Sequence, residues 1–512
     1  MSRLGHGWRI VSLVAACILA LSVAASATTY YIDYAAGSDS NNGTSTATPW
    51  QHLPGMANCA SGTACTYKPV AGDQFILRGG VTWPNAAFPI LWSWSGTNGN
   101  NIYIGVNNTW YTGSSWTRPI FDAQSQVIAG SWNMFFHCVY SGVQYVTLDN
   151  IEMTGLTWNG SATYGHLGYI TTNTASNILL ENLYLHGWTH TGSSSSNSST
   201  CTGTCDDLKL ILGDTNSPYD AGSLLTNSVI DGSDSTNGGD SGGATYAWPS
   251  ATYNIIHNAT NGLLLEGHGE VGNNLIYNIN QSFDASMHEN AIEVIHSDGG
   301  IFYIHDNIIH DNYGESIFMG GTTAGEIDYL WNNVLYNLAN SNPMHIDARQ
   351  YAWTGYYLNN TIVPQSGQQC FIQVGTTASV VLTLANNHCI SATGLDNITS
   401  PVTVTRTTNL TQTPTVASRQ GYTSTGNYAY TPLLSCTPAT CSTLQAGTNL
   451  ILASIWPSGY SVKDTSYACS QSATNQVVCP VRGVGISSPR PATWDVGSYV
   501  MWAPTGVAAV AH

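Results

Sequence analysis

The chain has 512 residues, and only 8% are charged, against about 25% in an ordinary soluble protein. Twelve Lys and Arg face 29 Asp and Glu, a formal net charge of −17 that excludes a conventional nucleic-acid binder and offers no attraction to an anionic membrane. Hydrophobic residues at 43%, aromatics at 10% and 51 glycines argue against disorder and for an all-β chain rich in turns.

In chain order, Arg3 and Arg9 precede an apolar run from Ile10 to Ala25. Ala25-Ser26-Ala27 then offers a small-x-small cleavage site, so residues 1–27 read as a secretory signal peptide. Val14-Ala15-Ala16-Cys17 has the look of a lipoprotein box, but the run stays apolar after Cys17, which argues against lipidation. No later stretch is apolar enough to insert in a membrane. Secretion makes disulfides the natural reading of the close cysteine pairs. These are Cys59 and Cys65, Cys201 and Cys205, Cys370 and Cys389, Cys436 and Cys441, and Cys469 and Cys479. Cys138 is left as a small buried hydrophobe. A zinc site is disfavoured, because the pairs lack C-x₂-C and H-x₃₋₅-H spacing.

The early region is crowded with Trp83, Trp92, Trp94, Trp110, Trp116, Trp132, Trp158 and Trp188. Some could stack on sugar rings; packing accounts for most. From residue 146 one phrase recurs: alternating apolar residues, Asn, then two more apolar residues. It marks Asn150, Asn182, Asn227, Asn254, Asn274, Asn307, Asn333, Asn360 and Asn387, and the period settles at 26–27 residues towards the end. Alternation means a strand with one buried face. One such strand per repeat means a solenoid of stacked parallel strands. Asn suits the bend because it tolerates left-handed backbone, and stacked asparagines bond one another.

A second strand per coil aligns across residues 207–213, 262–268, 291–297, 316–322, 343–349 and 370–376. Its first outward column reads Lys209, Leu264, Glu293, Phe318, His345 and Ile372; the second reads Ile211, Glu266, Ile295, Gly320, Asp347 and Val374. Rungs lie about 4.8 Å apart, so outward residues a few coils apart can share one ligand. The loop with Asp231, Asp234 and Asp240 could hold Ca²⁺, although a solvated Gly/Ser turn is the favoured reading. Beyond about residue 393 the Asn phrase fades; residues 28–392 read as the solenoid and 393–512 as last coils and a C-terminal β cap, laid along the solenoid or forming irregular coils.

Residues 30–56 (YYIDYAAGSDSNNGTSTATPWQHLPGM) and 71–80 (AGDQFILRGG) carry a resemblance. So do 446–450 (AGTNL) and 490–499 (RPATWDVGSY). With these stretches the chain resembles the secreted right-handed parallel β-helix proteins of the pectate-lyase-like superfamily. The resemblance implies one right-handed solenoid over nearly the whole mature chain. It does not imply one activity, since lyases, hydrolases, epimerases and non-catalytic adhesins share the fold. Polygalacturonases of this fold carry Asp-Asp, Gly-His-Gly and Arg-x-Lys; here Asp206-Asp207 and Gly267-His268-Gly269 are too far apart, and no Arg-x-Lys follows.

The site must therefore be read from residues. Glu266, Glu293, His345 and Asp347 share the outward face of the second strand, with Phe318 between them. His268, His296 and Arg349 lie just past it, and Lys209 a few coils earlier. Paired carboxylates there serve a glycoside hydrolase. Lys209, His345 or Arg349 as base, with Ca²⁺ on the acidic face, would serve a polysaccharide lyase acting on a uronate. His268, His296 and Phe318 are expected to bind substrate. Scarce basic residues tilt the expectation towards hydrolysis, because an acidic groove repels a polyuronate. The rival from another class is a non-catalytic carbohydrate-binding or adhesive solenoid, indifferent to these side chains. The chain is expected to be a secreted monomer whose partner is a polysaccharide.

Overall fold

The computed structural model describes residues 27–128, 134–139, 142–158, 168–172, 174–190, 208–213, 220–234, 242–279, 289–320, 322–339, 342–424, 430, 432–433, 435–460, 469–479 and 494–498. Their strands wind into a parallel β-helix. Each coil contributes a strand to three faces in turn, and each strand pairs in parallel with its counterpart in the next coil. Gln144–Asp149, Ser176–Glu181 and Ile327–Trp331 lie on the first face. Glu152–Trp158, Tyr184–His186 and Val334–Tyr336 follow on the second. Phe136–Cys138, Ile317–Met319 and Met344–Asp347 are on the third. Two long strands, Asn261–Gly272 and Ile292–His305, leave the third face of one coil and run on into the first face of the next. This fuses the two faces into one 21-stranded sheet, while the second face forms its own.

The alternating pattern places one apolar set inside every rung, and Val146, Leu148, Ile178, Leu180, Ile304 and Leu330 are fully buried. The first coils are filled by aromatic rings instead: Trp50, Trp83, Trp92, Phe75 and Phe121 are sealed, Phe75 meeting Trp92 and Trp83 meeting Phe121 edge-on while Trp50 stacks on Tyr30. Of the early tryptophans, Trp83, Trp92 and Trp188 are core. Trp94 packs edge-on against Trp92, and Trp110 takes the edge of Tyr31 and the Arg78 guanidinium. Trp132 and the side chain of Trp158 lie outside the described residues.

The bend from first to second face carries a continuous amide ladder. Asn254, Asn274, Asn307, Asn333, Asn360, Asn387 and Asn409 each donate Nδ2 to the next Oδ1 at 2.9–3.0 Å, Asn409 ending the series. Each Oδ1 also takes a backbone N–H from the preceding coil, as in Asn307 N to Asn333 Oδ1. The asparagines of the repeated phrase turn out to occupy two columns, not one. Asn150, Asn182 and Asn227 hold the left-handed position with φ of 61°, 55° and 49°. In later coils Asn273, Asp306, Asn332, Asn359 and Asn386 hold it, one residue before the ladder asparagine. Early coils fill the ladder position otherwise: Leu183 N bonds Ser228 Oγ, and Ser228 N bonds Asn254 Oδ1.

The third-face alignment holds from residue 262 onwards and slips before it. Leu264, Glu293, Phe318, His345 and Ile372 stand in one column. Lys209 does not share it. An extra coil, Gly242–Tyr246, intervenes; Ile211 pairs with Thr245 and Thr245 with Leu263, so Lys209 falls in line with Gly243 and Asn261. Ile211, expected outward, is fully buried. Alternation alone cannot detect such a slip when both neighbours of Lys209 are leucine. In the second column a bulge sets His296, not Ile295, beside Glu266.

After residue 393 one further rung forms, Thr403–Thr407 and Leu410–Gln412, followed by the short helix Pro414–Arg419. The chain then runs back along the outside of the coils. Trp494 and Leu450 cover Trp331, Leu358 and Ala385; Tyr460 meets Tyr303; Gln471 bonds His257; and Thr474 O accepts from Arg118. Disulfides close Cys59–Cys65, Cys370–Cys389, Cys436–Cys441 and Cys469–Cys479, and Cys138 is a buried free thiol. Cys201 and Cys205 lie outside the described residues.

Candidate active site

The third face between Asn261 and Arg349 gathers Glu266, then Glu293 and His296, then His345 and Asp347 from three rungs, with Phe318 on the rung between. Glu266 is fully buried, and its Oε1 lies 2.9 Å from Nδ1 of His296, whose side chain is 56% exposed. A carboxylate on Nδ1 fixes the ring and turns Nε2 to the surface as a proton carrier. Glu293, on the same strand as His296, is partly exposed, and Asn290 Nδ2 donates to its Oε2 at 2.8 Å. Three residues separate Glu293 from His296, about 10 Å along an extended strand. The phenol of Tyr246 feels both Glu266 and Glu293; burial first, and then these charges, raise its pKa.

Asn290 is the hub of the bend that enters this face. Its N–H donates to Asn261 Oδ1, and its Oδ1 accepts from Glu315 N. Tyr246, Asn261, Asn290 and Glu315 were not visible as site residues in the sequence. A signal did exist: Asn290 precedes Glu293 by one turn of bend, as the ladder asparagines precede their strands.

Phe318 and His345 follow Glu293 in the column, with ring centroids 3.9 Å apart. His345 is buried, Nδ1 lies 3.6 Å from Glu315 Oε1, and neither ring nitrogen has a hydrogen-bond partner among the described residues. Phe318 does not offer an open stacking platform, since it is buried under the Arg349 guanidinium at 5.5 Å as well as His345. Arg349 is locked to Asp347 by a bidentate pair of 2.9 and 2.8 Å plus a backbone contact. The hydrogen bonds that Arg349 donates to Asp347 raise the guanidinium pKa, which removes Arg349 as a base. Lys209 is buried with its ammonium 5.9 Å from the Tyr246 ring, near the edge of the cluster. His268 is half exposed on Asp298 Oδ2 at 2.7 Å, one rung end away from Glu266.

Asp231 and Asp234 do not converge on a cation. Asp231 is buried, 3.5 Å from His257 and capping Ser233 N. Asp234 bonds His186 Nδ1 at 2.6 Å and Gly187 N, and Asp240 lies outside the described residues. Burial works against the charge on His186, but Asp234 and Glu152 outweigh it and lift its pKa to about 9. Among the described residues the one cluster of three potential metal ligands is Asp39, Cys59 and Cys65, where the sulfurs are tied in a disulfide. An open concavity lies on the first face of the early coils, lined by Gln74, Tyr103, Asn107 and Asp149. We place the site on the third face, where the proton-handling groups gather.

No protein-family model matches the chain, and no curated protein sequence does. Solved structures share its path distantly. A GH136 lacto-N-biosidase from Eubacterium ramulus is 13% identical with a TM-score of 0.35, covering 75% of this chain and 68% of that one. A PL6 polysaccharide lyase from Pseudopedobacter saltans is 11% identical with a TM-score of 0.37, covering 67% and 89%. Pectate lyase Pel9A is 14% identical with a TM-score of 0.34, covering 92% and 97%. Likeness at this level leaves function to be argued from the site.

Proposed function

We propose that the chain is a secreted carbohydrate-active enzyme that hydrolyses a neutral polysaccharide lying across its third face. The observation that carries this reading is one strand presenting two proton-handling groups in different environments. His296 is oriented by sealed Glu266, and Glu293 is held by Asn290. Such a division of roles lets one group give a proton while the other accepts one. His296 protonates the leaving glycosidic oxygen through Nε2, with Glu266 stabilising the imidazolium. Glu293, on the other side of the bond, activates water, and the stereochemistry of the product tests that division of roles. Glu266 and Asn290 are positioning residues. Arg349, neutralised by Asp347, leaves the face acidic, which favours a substrate without carboxylates.

A second reading rests on the same dyad: His296 as base removes the proton beside a uronate carboxyl group, with a cation or Lys209 neutralising that group. The disulfides support an oxidising compartment, and no helix among the described residues is long and apolar enough to cross a membrane.

The test is the chain from residue 28 on a panel of neutral and uronate polysaccharides, following reducing ends and ultraviolet absorbance together. Reducing ends from a neutral glycan, without absorbance and lost in Glu293→Gln, support hydrolysis. Absorbance rising on a uronate replaces it with elimination. Binding without cleavage, unchanged by Glu293→Gln, sinks both and leaves the adhesive solenoid.

A further inference from the structure

Directly behind the strand end that carries His296, the interior of the solenoid holds a group of oxygens that an apolar core does not explain. Glu326 and Asp328 are two residues apart, so both point inward, and both are fully buried. Asp328 stands in an inward column between Phe302 and Gly355. At Gly355 a side chain would collide with the Tyr357 ring at 2.7 Å and the Trp353 ring at 2.8 Å, so these rings occupy the space beside Asp328. Neither oxygen of Asp328 has a donor within reach unless one of the two carboxyl groups carries a proton, and Oε1 of Glu326 lacks one too. Tyr357 is also fully buried, its hydroxyl has no hydrogen-bond partner among the described residues, and its phenol feels both carboxyl groups. Thr322 Oγ1 bonds Glu326 Oε2 at 3.3 Å, and the Ser297 hydroxyl approaches the same carboxylate.

We propose that Glu326, Asp328 and Tyr357, with the hydroxyls of Thr322 and Ser297, form an internal binding site for a divalent cation of the calcium type. The donors are all hard oxygens, with no nitrogen or sulfur among them, and two carboxylates match the charge of one such ion. The enclosure favours Ca²⁺ over Mg²⁺, which keeps part of its water shell. Without a cation the pair is in difficulty. Both oxygens of Asp328 and Oε1 of Glu326 stay sealed from water with no donor to meet them. The consequence for the outer face is direct. Thr323 Oγ1 bonds Ser297 O at 2.6 Å, so the segment 322–326 ties the cluster to the residue after His296. The ion would fix the rung that presents the proton carrier, although the site stands whether or not the proposed hydrolysis does.

The experiment measures calcium by elemental analysis in the chain purified with calcium. It then compares thermal unfolding after refolding from denaturant with calcium or with EDTA. About one calcium per chain is expected, with an upward shift of several degrees in calcium. The double variant Glu326→Gln/Asp328→Asn is the control. It keeps the oxygens' volume, and should fold, hold no stoichiometric calcium and melt alike in both buffers. Two results overturn the proposal. One is wild-type protein without metal whose unfolding ignores calcium. In that case the two carboxyl groups satisfy each other through a shared proton and no ion is held. The other is a double variant that still binds one calcium, which places the ion elsewhere.

Discussion

Two bends of the same solenoid solve one problem in opposite ways. Both must satisfy backbone groups where strands turn a corner, and both use side-chain amides reaching to the next coil. The bend from first to second face repeats one uncharged ladder residue from Asn254 to Asn409, and the ladder is buried from Asn254 to Asn387. The bend that enters the third face uses Asn261 and Asn290, then gives way to Glu315, and places Glu293 and His296 just beyond. Repetition stacks identical partners and stabilises; the break in the repetition is where the proposed chemistry would sit.

The comparison breaks first at Glu293. Glu293→Gln should lower the proposed cleavage by about 10²–10⁴-fold while leaving the melting temperature within a degree or two. A matching loss of stability would make the third-face bend merely structural. Asn333→Ala should do the reverse. It removes an amide that donates to Asn360 Oδ1 and Ile304 O and accepts Asn307 N, stranding buried partners at a cost of about 3 kcal/mol or more, read by denaturant unfolding. Asn290→Ala sharpens the contrast from between. As a positioning residue it should reduce kcat by about tenfold and shift the pH profile of cleavage, with Asn290→Asp restoring little.

A smaller effect separates the faces by pH. The imidazolium of His186 at the second face is favoured in the fold, so its contribution is complete below about 6.5, its unfolded value. That contribution is lost as pH rises from there through about 9. His186→Asn should flatten that part of the stability curve, and an unchanged slope would assign it elsewhere. The smallest effect is expected from opening Cys59–Cys65, which closes a short loop of six residues, compared with Cys370–Cys389 at nineteen.

How much was legible in the sequence follows the same division. The Asn phrase, the alternating strands, the close cysteine pairs and buried Cys138 were readable, because each is a local pattern with a local cause. The column Glu293–Phe318–His345 was readable because a 26–27 residue period carries register from coil to coil. Lys209 was misplaced because the third-face strand Gly242–Tyr246, read GGATY, lacks the apolar alternation that would have placed it in the alignment. The two asparagine columns merged because adjacent positions both accept Asn, one for its left-handed backbone and the other for its amide. Asp231 and Asp234 looked like a cation loop; only the fold showed each facing its own histidine.

The sequence by itself determined an acidic, disulfide-bearing all-β solenoid and the band of coils where acids and histidines gather. Periodicity and composition are properties of the chain. Tertiary structure decided which of those groups meet: His296 on Glu266 through a bulge, Glu293 on Asn290, Arg349 on Asp347, and Glu326 with Asp328 sealed inside. Pairing across rungs depends on register, bulges and inserted coils, and a shift of a single residue sends a side chain to the opposite face of the sheet.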